Sequence, residues 1–214
     1  MDVLLDNAGV FGAGFWATLR LTLVSGVLAL LLGTVLAAMR VAPGAALRAA
    51  GTAYVEVVRN TPLTIVFFFA VFVLPQLDVS LSFFTFAVLA LTVYHAAFFC
   101  EAVRSGIGSV GVGQAEAARA LGLTFTQTLR HVVLPQAFRS VVPPLVNVFI
   151  ALTKNTSIAS AFAVAELTAV IGRLSNETGR PIPVLLGVAL CYLVLTIPSG
   201  LFAGAVEKRV AVAR

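Results

Sequence analysis

Five stretches of this chain are so continuously apolar that water is no solvent for them. They run from about Phe15 to Met39, Tyr54 to Leu77, Phe84 to Val103, Val141 to Thr153 and Pro183 to Val206. A helix of ~20 residues crosses the ~30 Å hydrocarbon layer and satisfies its own backbone groups on the way. The runs therefore restrict the chain to one class, an all-α integral membrane protein with five transmembrane helices. Composition agrees: 60% of the 214 residues are hydrophobic, 11% are charged and mean hydropathy is +1.04, a balance that no soluble domain of this size buries. A single membrane domain over residues 1–214 is expected. The first run exceeds the ~7–15-residue core of a signal peptide and reads as a retained span. Pro62 either bends the second run or sits near its start. "SIASAFAVAELTAVIG", residues 157–172, is apolar but has sixteen residues and carries Glu166, which suits a re-entrant or interfacial helix better than a span.

Charge sets the orientation. Cytoplasmic loops collect Lys and Arg, and Arg40, Arg48, Arg59, Arg104, Arg119, Arg130 and Arg139 fall in two loops of one parity. With five spans the N-terminus is outside, and the tail bearing Lys208, Arg209 and Arg214 is cytoplasmic. The net charge of +5 is thus a topology signal. Nucleic-acid binding wants a basic face on a soluble module and is not expected. Cys100 and Cys191 lie in apolar runs without metal-type spacing and read as buried, reduced, structural thiols. Two histidines, His95 and His131, give no Ser–His–acid set and no metal-ligand cluster. The match "GIGSVG" to a dinucleotide fingerprint follows a membrane helix rather than a strand, so it reads as a turn. The sequence contains no GxxxxGK[ST] loop, so ATP and Mg, if used, are bound by another chain.

"EAARALGLTFTQTLRHVVLP", residues 116–135, lies between two spans yet suits neither lipid nor plain water. Gln114 to Leu121 predicts a short helix, which Gly122 stops in a left-handed conformation. Thr124, with Gln127 three residues on, predicts a capping box that opens a second short helix to about Val133, with Pro135 soon after. Phe125, Leu129 and Val132 share one face of it. Ala117, Ala118 and Leu121 form a narrow surface of small residues beside Glu116. That surface fits the close approach of another backbone, or an amphipathic element resting on the membrane.

The pattern Glu-Ala-Ala, three residues, Gly, nine residues, a β-branched aliphatic residue, one residue, Leu-Pro resembles the cytoplasmic signature of permease subunits of ABC importers. Glu116, Ala117, Ala118, Gly122, Val132, Leu134 and Pro135 carry it here, with valine where isoleucine is usual. "YVEVVRNTPLTIVFFF", "EAVRSGI", "ALTKNTSIAS" and "TIPSGL" are similar, in matching order, to the polar-amino-acid branch of that family. "RNTPLT", "GQAEAARALGL" and "IALTKNTSIAS" most resemble glutamate permease subunits. "SVGVGQ" departs from the branch, where a proline and a lysine are common before Gly113. The resemblance implies a type I ABC importer fold in the bacterial cytoplasmic membrane, with a coupling helix at about residues 111–135 between spans three and four. It also implies partners: a second permease chain, identical or paralogous, two cytoplasmic ABC ATPase subunits that bind ATP and Mg, an extracytoplasmic solute-binding protein, and membrane lipid. The chain itself would then be a transport subunit and catalyse no covalent step.

A polar amino acid needs polar groups inside the membrane, where an ionisable residue is a functional candidate by default. Arg20 reads as an interfacial cation or as a contact for an acidic side chain. Glu101 stands three residues before Arg104 and reads as its ion-pair partner or as a solute contact. Asn147, Lys154, Asn155 and Thr156 gather toward the outer end of the fourth span and offer amide and ammonium donors. His95 and Tyr94 are packed core groups or solute contacts, and Asn60 and Thr61 serve the solute or the backbone groups freed by Pro62. "GLFAG", Gly200 to Gly204, is a GxxxG face expected to pack within the subunit. An ion-driven secondary transporter would want internal repeats and midplane carboxylates, and a membrane enzyme a catalytic constellation; neither pattern is evident.

Overall fold

Runs that are apolar on every face make long helices with no polar side, and three of the helices here are of that kind. The computed structural model describes residues 2–210; of the basic tail, Arg214 and the side chains of Lys208 and Arg209 lie outside the description. All described elements are helical. In chain order they are α1 (Asp2–Asp6), α2 (Ala8–Val41), α3 (Ala45–Arg59), α4 (Leu63–Phe68), α5 (Phe83–Gly108), α6 (Val112–Ala120), α7 (Phe125–Thr128), α8 (Leu134–Asn155), α9 (Ala169–Thr178) and α10 (Pro181–Val210). A π turn (Phe69–Val73) and a 3-10 turn (Leu74–Leu77) extend α4, and a 3-10 turn (Thr156–Phe162) extends α8. Four helical runs are long and apolar enough to cross a membrane: Ala8–Val41, Phe83–Gly106, Phe125–Phe162 and Pro181–Phe202. The pair Ala45–Arg59 and Leu63–Leu77 passes the same test together, but its halves meet at 103°.

That angle falls where Pro62 is expected to bend the run from Tyr54 to Leu77 or to start a helix within it. Proline has no N–H and pushes the residue before it out of the helical region, so the chain turns at Asn60–Pro62 and Pro62 caps α4. The Val57 carbonyl, which loses its amide because Thr61 N turns to Val58 O, is met by Thr61 Oγ1 at 2.8 Å, and Asn60 Nδ2 adds a bond to Glu56 O at 2.7 Å. Pro135 behaves in the opposite way. The helix expected to stop before it instead runs through a π turn, Leu129–Val133, into α8, where Pro135 occupies the first turn and needs no donor. The fourth run is therefore a rod of 38 residues, Phe125–Phe162, rather than the short Val141–Thr153 stretch. Residues 157–172 do not form one helix either. The 3-10 turn ends at Ala163, which takes a left-handed φ of 59°, and a loop through Glu166 leads to α9.

The bundle is drawn together by missing side chains. At Gly33 of α2 a Cβ would stand 2.7 Å from Ala96 O and 2.7 Å from Phe99 Cβ of α5, closer than atoms pack, so only glycine permits this crossing. On either side Leu36, Ala37, Val55, Ala96, Ala97 and Cys100 form one buried cluster, and Leu21, Phe67, Leu91 and Phe162 belong to another. A third, with Phe11, Leu167, Leu174 and Val184, joins α2, α9 and α10. Both cysteines are free, but Cys191 is only half-buried. The Gly200–Gly204 face does not pack within the subunit as expected: a Cβ at Gly204 meets nothing within 4 Å, and one at Gly200 meets only Ile150 Cδ1 at 4.0 Å. Gly33→Ala should therefore destabilise the fold by about 1–3 kcal/mol through overpacking. Gly12→Ala, whose added carbon meets nothing within 4 Å, should stabilise it by roughly 0.5–1 kcal/mol through helix propensity. Thermal unfolding in detergent reads both signs.

Candidate functional site

In a bilayer, the exposed faces of spanning helices report what they meet. Those of α2 and α10 show Leu23, Val27, Leu31 and Val35, and Leu186, Leu190, Val194 and Ile197, all suited to lipid. α8 differs. Gln136, Ser140, Asn147 and Lys154 follow the helical repeat along one side, with Asn147, Ala151 and Lys154 exposed and Gln136 and Ser140 half-buried. A polar stripe the length of a spanning helix does not suit hydrocarbon.

Beside that stripe, between α5 and α8, lies a pocket of about 180 Å³ lined by Tyr94, His95, Phe98, Val148, Ala151 and Asn155. His95 is buried, at 1% exposure. Its Nδ1 is 2.9 Å from Leu91 O, and its Nε2 is 3.1 Å from Asn155 Nδ2. A carbonyl only accepts, so Nδ1 carries the proton and Nε2 accepts from the Asn155 amide. The structure thus joins two residues singled out separately in the sequence. Thr156 is not among them, since it is fully buried and turns its hydroxyl onto Thr153 O at 2.7 Å. Lys154 stays on the stripe. Arg20 is exposed and its guanidinium lies 5.5 Å from the centre of the Phe84 ring, away from the pocket. A wider crevice of about 420 Å³ between α2, α8 and α10 is mostly apolar. Its Thr153 and Ser199 hydroxyls bond Phe149 O and Leu195 O, the Thr22 hydroxyl has no partner among the described residues, and no charged side chain lines it.

Glu101 sits in an ion cluster one to two turns along α5 from this pocket. Arg104 pairs with it as the spacing predicts, at 2.8 Å, but Arg40 bonds it as well and Arg59 lies 3.6 Å away. The sequence offered Arg59 only as a topology charge, because its partners come from α5. Glu166 was likewise legible only as an oddity in an apolar segment. It is fully buried, and its carboxylate accepts from Thr18 Oγ1 (3.2 Å), Tyr192 Oη (2.9 Å), Thr168 N (2.7 Å) and Ala169 N (3.1 Å). Burial pushes this carboxyl above the usual range against the pull of those four donors. The knot ties the loop after Ala163 to α2 and α10.

The segment between α5 and α8 keeps the local features read from sequence. Gly122 has φ 84°, and Thr124 and Gln127 form a reciprocal capping box, with Gln127 N donating to Thr124 Oγ1 at 3.3 Å and Thr124 N to Gln127 Oε1 at 2.9 Å. Of the small-residue surface, Ala118 is buried while Glu116, Ala117 and Leu121 are exposed. Val112, Leu121 and Phe125 are 74%, 81% and 78% exposed, three large apolar side chains without a cover among the described residues. Leu134 and Pro135 are also exposed, at the start of α8. Glu166→Ala should leave four donors unmet and cost about 2–4 kcal/mol, against roughly 1 kcal/mol for Tyr192→Phe, in detergent unfolding.

Residues 29–212 match the family described as binding-protein-dependent transport system inner membrane component. The chain is similar to a probable glutamine ABC transporter permease protein of Bacillus subtilis, 41% identical over 98% of this chain and 97% of that one. It is 42% identical to a glutamate transport system permease protein of Corynebacterium glutamicum, over 92% of each, and 33% identical to a glutamate/aspartate import permease protein of Escherichia coli, over 94% and 87%. Among solved structures it resembles an amino acid ABC transporter crystallised with histidines, with TM-score 0.89, 30% identity and 96% of each chain covered. An inward-facing methionine ABC transporter shares the fold, with TM-score 0.76 and 24% identity over 97% and 99% of the chains. Matched along most of its length by the family and across nearly all of it by these relatives, the chain belongs to the inner-membrane permease components of binding-protein-dependent ABC transport systems.

Proposed function

We propose that this chain is one half of the pore of an ATP-driven importer for polar amino acids, with glutamate the leading solute and glutamine beside it. The observation that carries the reading is the construction of α8: its polar stripe borders the His95–Asn155 pocket, and the rod that contains it begins, through α7, at the exposed Phe125, next in the chain to the segment with exposed Val112 and Leu121. A pore wall joined by one rod to an exposed apolar segment is what an importer driven by another chain requires. In this reading the bent pair α3–α4 counts as one of five spans, the N-terminus is outside and the C-terminus is cytoplasmic. Residues 111–135 form the coupling helix, where Glu116, Ala117, Ala118, Leu121, Gly122, Leu134 and Pro135 meet the ATPase. The whole chain, 1–214, acts as one domain.

A second permease chain, identical or paralogous, closes the pore against the α8 stripe, where Asn147 and Lys154 line the path and Asn155 and His95 bind. Asn60, Thr61, Thr156, Arg20 and Glu101 take supporting places, the first three in backbone hydrogen bonding and the last two in interfacial and ion-pair contacts. Two ATPase subunits hold ATP and Mg inside, and a solute-binding protein delivers cargo outside. ATP binding draws the ATPases together, and the coupling helices convert that movement into an outward-open path. The relatives named for glutamine and glutamate transport support the solute class. The test is uptake of labelled glutamate, with glutamine and arginine as competitors, in vesicles holding the full assembly. Uptake that needs both ATP and the binding protein, and yields to glutamine but not arginine, is expected. Glu116→Lys reverses the fixed negative charge on the docking surface and should lower uptake about tenfold or more while ATP hydrolysis continues and the spans stay folded. Normal uptake by that variant would remove the docking role.

A further inference from the structure

We propose that Arg59 is the ligand for a carboxylate of the transported amino acid, at the edge of the pocket between α5 and α8. The inference rests on the importer reading above. Three guanidinium groups, from α2, α3 and α5, converge on the Glu101 carboxylate. Two of them occupy it. Arg40 bonds Oε1, and Arg104 bonds Oε2 through Nη2 at 2.8 Å and Nε at 3.3 Å. Arg59 Nη1 stays 3.6 Å from Oε1, beyond hydrogen-bond reach, and among the described residues no acceptor meets its N–H groups. It is a cation in excess.

The setting of that cation points toward the pocket. The Arg59 side chain is 42% exposed, and its guanidinium carbon is 5.6 Å from the centre of the Phe98 ring. An aromatic ring holds a guanidinium without using its hydrogen-bond donors, which leaves the fork free for a carboxylate. Phe98 is itself a wall of the pocket, and its ring centre lies 5.1 Å from that of Tyr94 and 6.2 Å from that of His95. An amino acid lying along Phe98 meets the Arg59 fork with one end and the His95–Asn155 pair with the other. The turn at Asn60–Pro62 delivers the cation here, because α3 ends at Arg59 and the chain leaves at 103° before another helical turn covers it. An ion beside apolar spans is costly until a counter-ion arrives, and Glu101 is already engaged. A dicarboxylic amino acid has two groups of the fitting kind, on its main chain and on its side chain.

The test uses proteoliposomes holding the complete assembly with saturating, solute-loaded binding protein. Initial ATP-dependent uptake of labelled glutamate and of labelled glutamine is measured for the unaltered chain, Arg59→Gln and Arg59→Lys, together with ATP hydrolysis on the same vesicles. Arg59→Gln is expected to lower uptake about 10- to 100-fold, the usual weight of a charged hydrogen bond, while hydrolysis stays within about twofold and Arg59→Lys recovers part of the loss. Loss for both solutes assigns the main-chain carboxylate; loss for glutamate alone assigns the side-chain one. Unchanged uptake by Arg59→Gln overturns the proposal. So does a fall of hydrolysis in step with uptake that lysine does not relieve, which marks a cation needed only for folding. If the unaltered assembly imports neither amino acid, the importer reading for these solutes fails, and the role of Arg59 falls with it.

Discussion

A backbone amide or carbonyl that leaves a helix inside hydrocarbon finds no water to bond, and this constraint shapes each place where the chain bends. At Asn60–Pro62 the Thr61 hydroxyl takes the Val57 carbonyl that the turn strands. At the loop after Ala163, Thr18 accepts from Leu167 N at 3.0 Å, and Glu166 takes the amides of Thr168 and Ala169. Each repair brings polar side chains into a region that otherwise excludes them. The features offered here as functional, Arg59 and the His95–Asn155 pair, stand at or beside such breaks: Arg59 at the end of α3, Asn155 where α8 passes into a 3-10 turn.

Much of the fold could be read from the chain alone, because continuous apolarity and local capping are properties of neighbouring residues. The cores of α2, α5 and α10, the left-handed Gly122 and the Thr124–Gln127 box follow from adjacent letters. Pro62 reads as a bend or a helix start and accompanies a 103° turn, whereas Pro135, which reads as following a helix end, sits inside a continuous rod. The difference lies in the preceding turn, which widens to a π turn before Pro135 and is replaced by side-chain bonds before Pro62. Pairings between distant residues left no local trace: Glu166 meets Thr18 148 positions away, and His95 meets Asn155 60 positions away. Both members of the second pair were visible as candidates, but not their contact.

The surfaces sort in the same way. The leucines and valines exposed on α2 and α10 need only lipid, so hydropathy alone finds them. The α8 stripe is weaker in any running average, since Val141, Leu145 and Leu152 on its other sides dilute Gln136, Asn147 and Lys154. Only the helical repeat separates the two faces.

The unbroken run from Phe125 to Phe162 has a mechanical meaning as well. Its 38 residues make a rod of roughly 57 Å at 1.5 Å per residue, and near its midpoint it crosses α5 where any side chain on Gly106 would overlap Val141. So tight a crossing pins the rod against α5 at one point, with Phe125 on one side of it and Lys154 and Asn155 on the other.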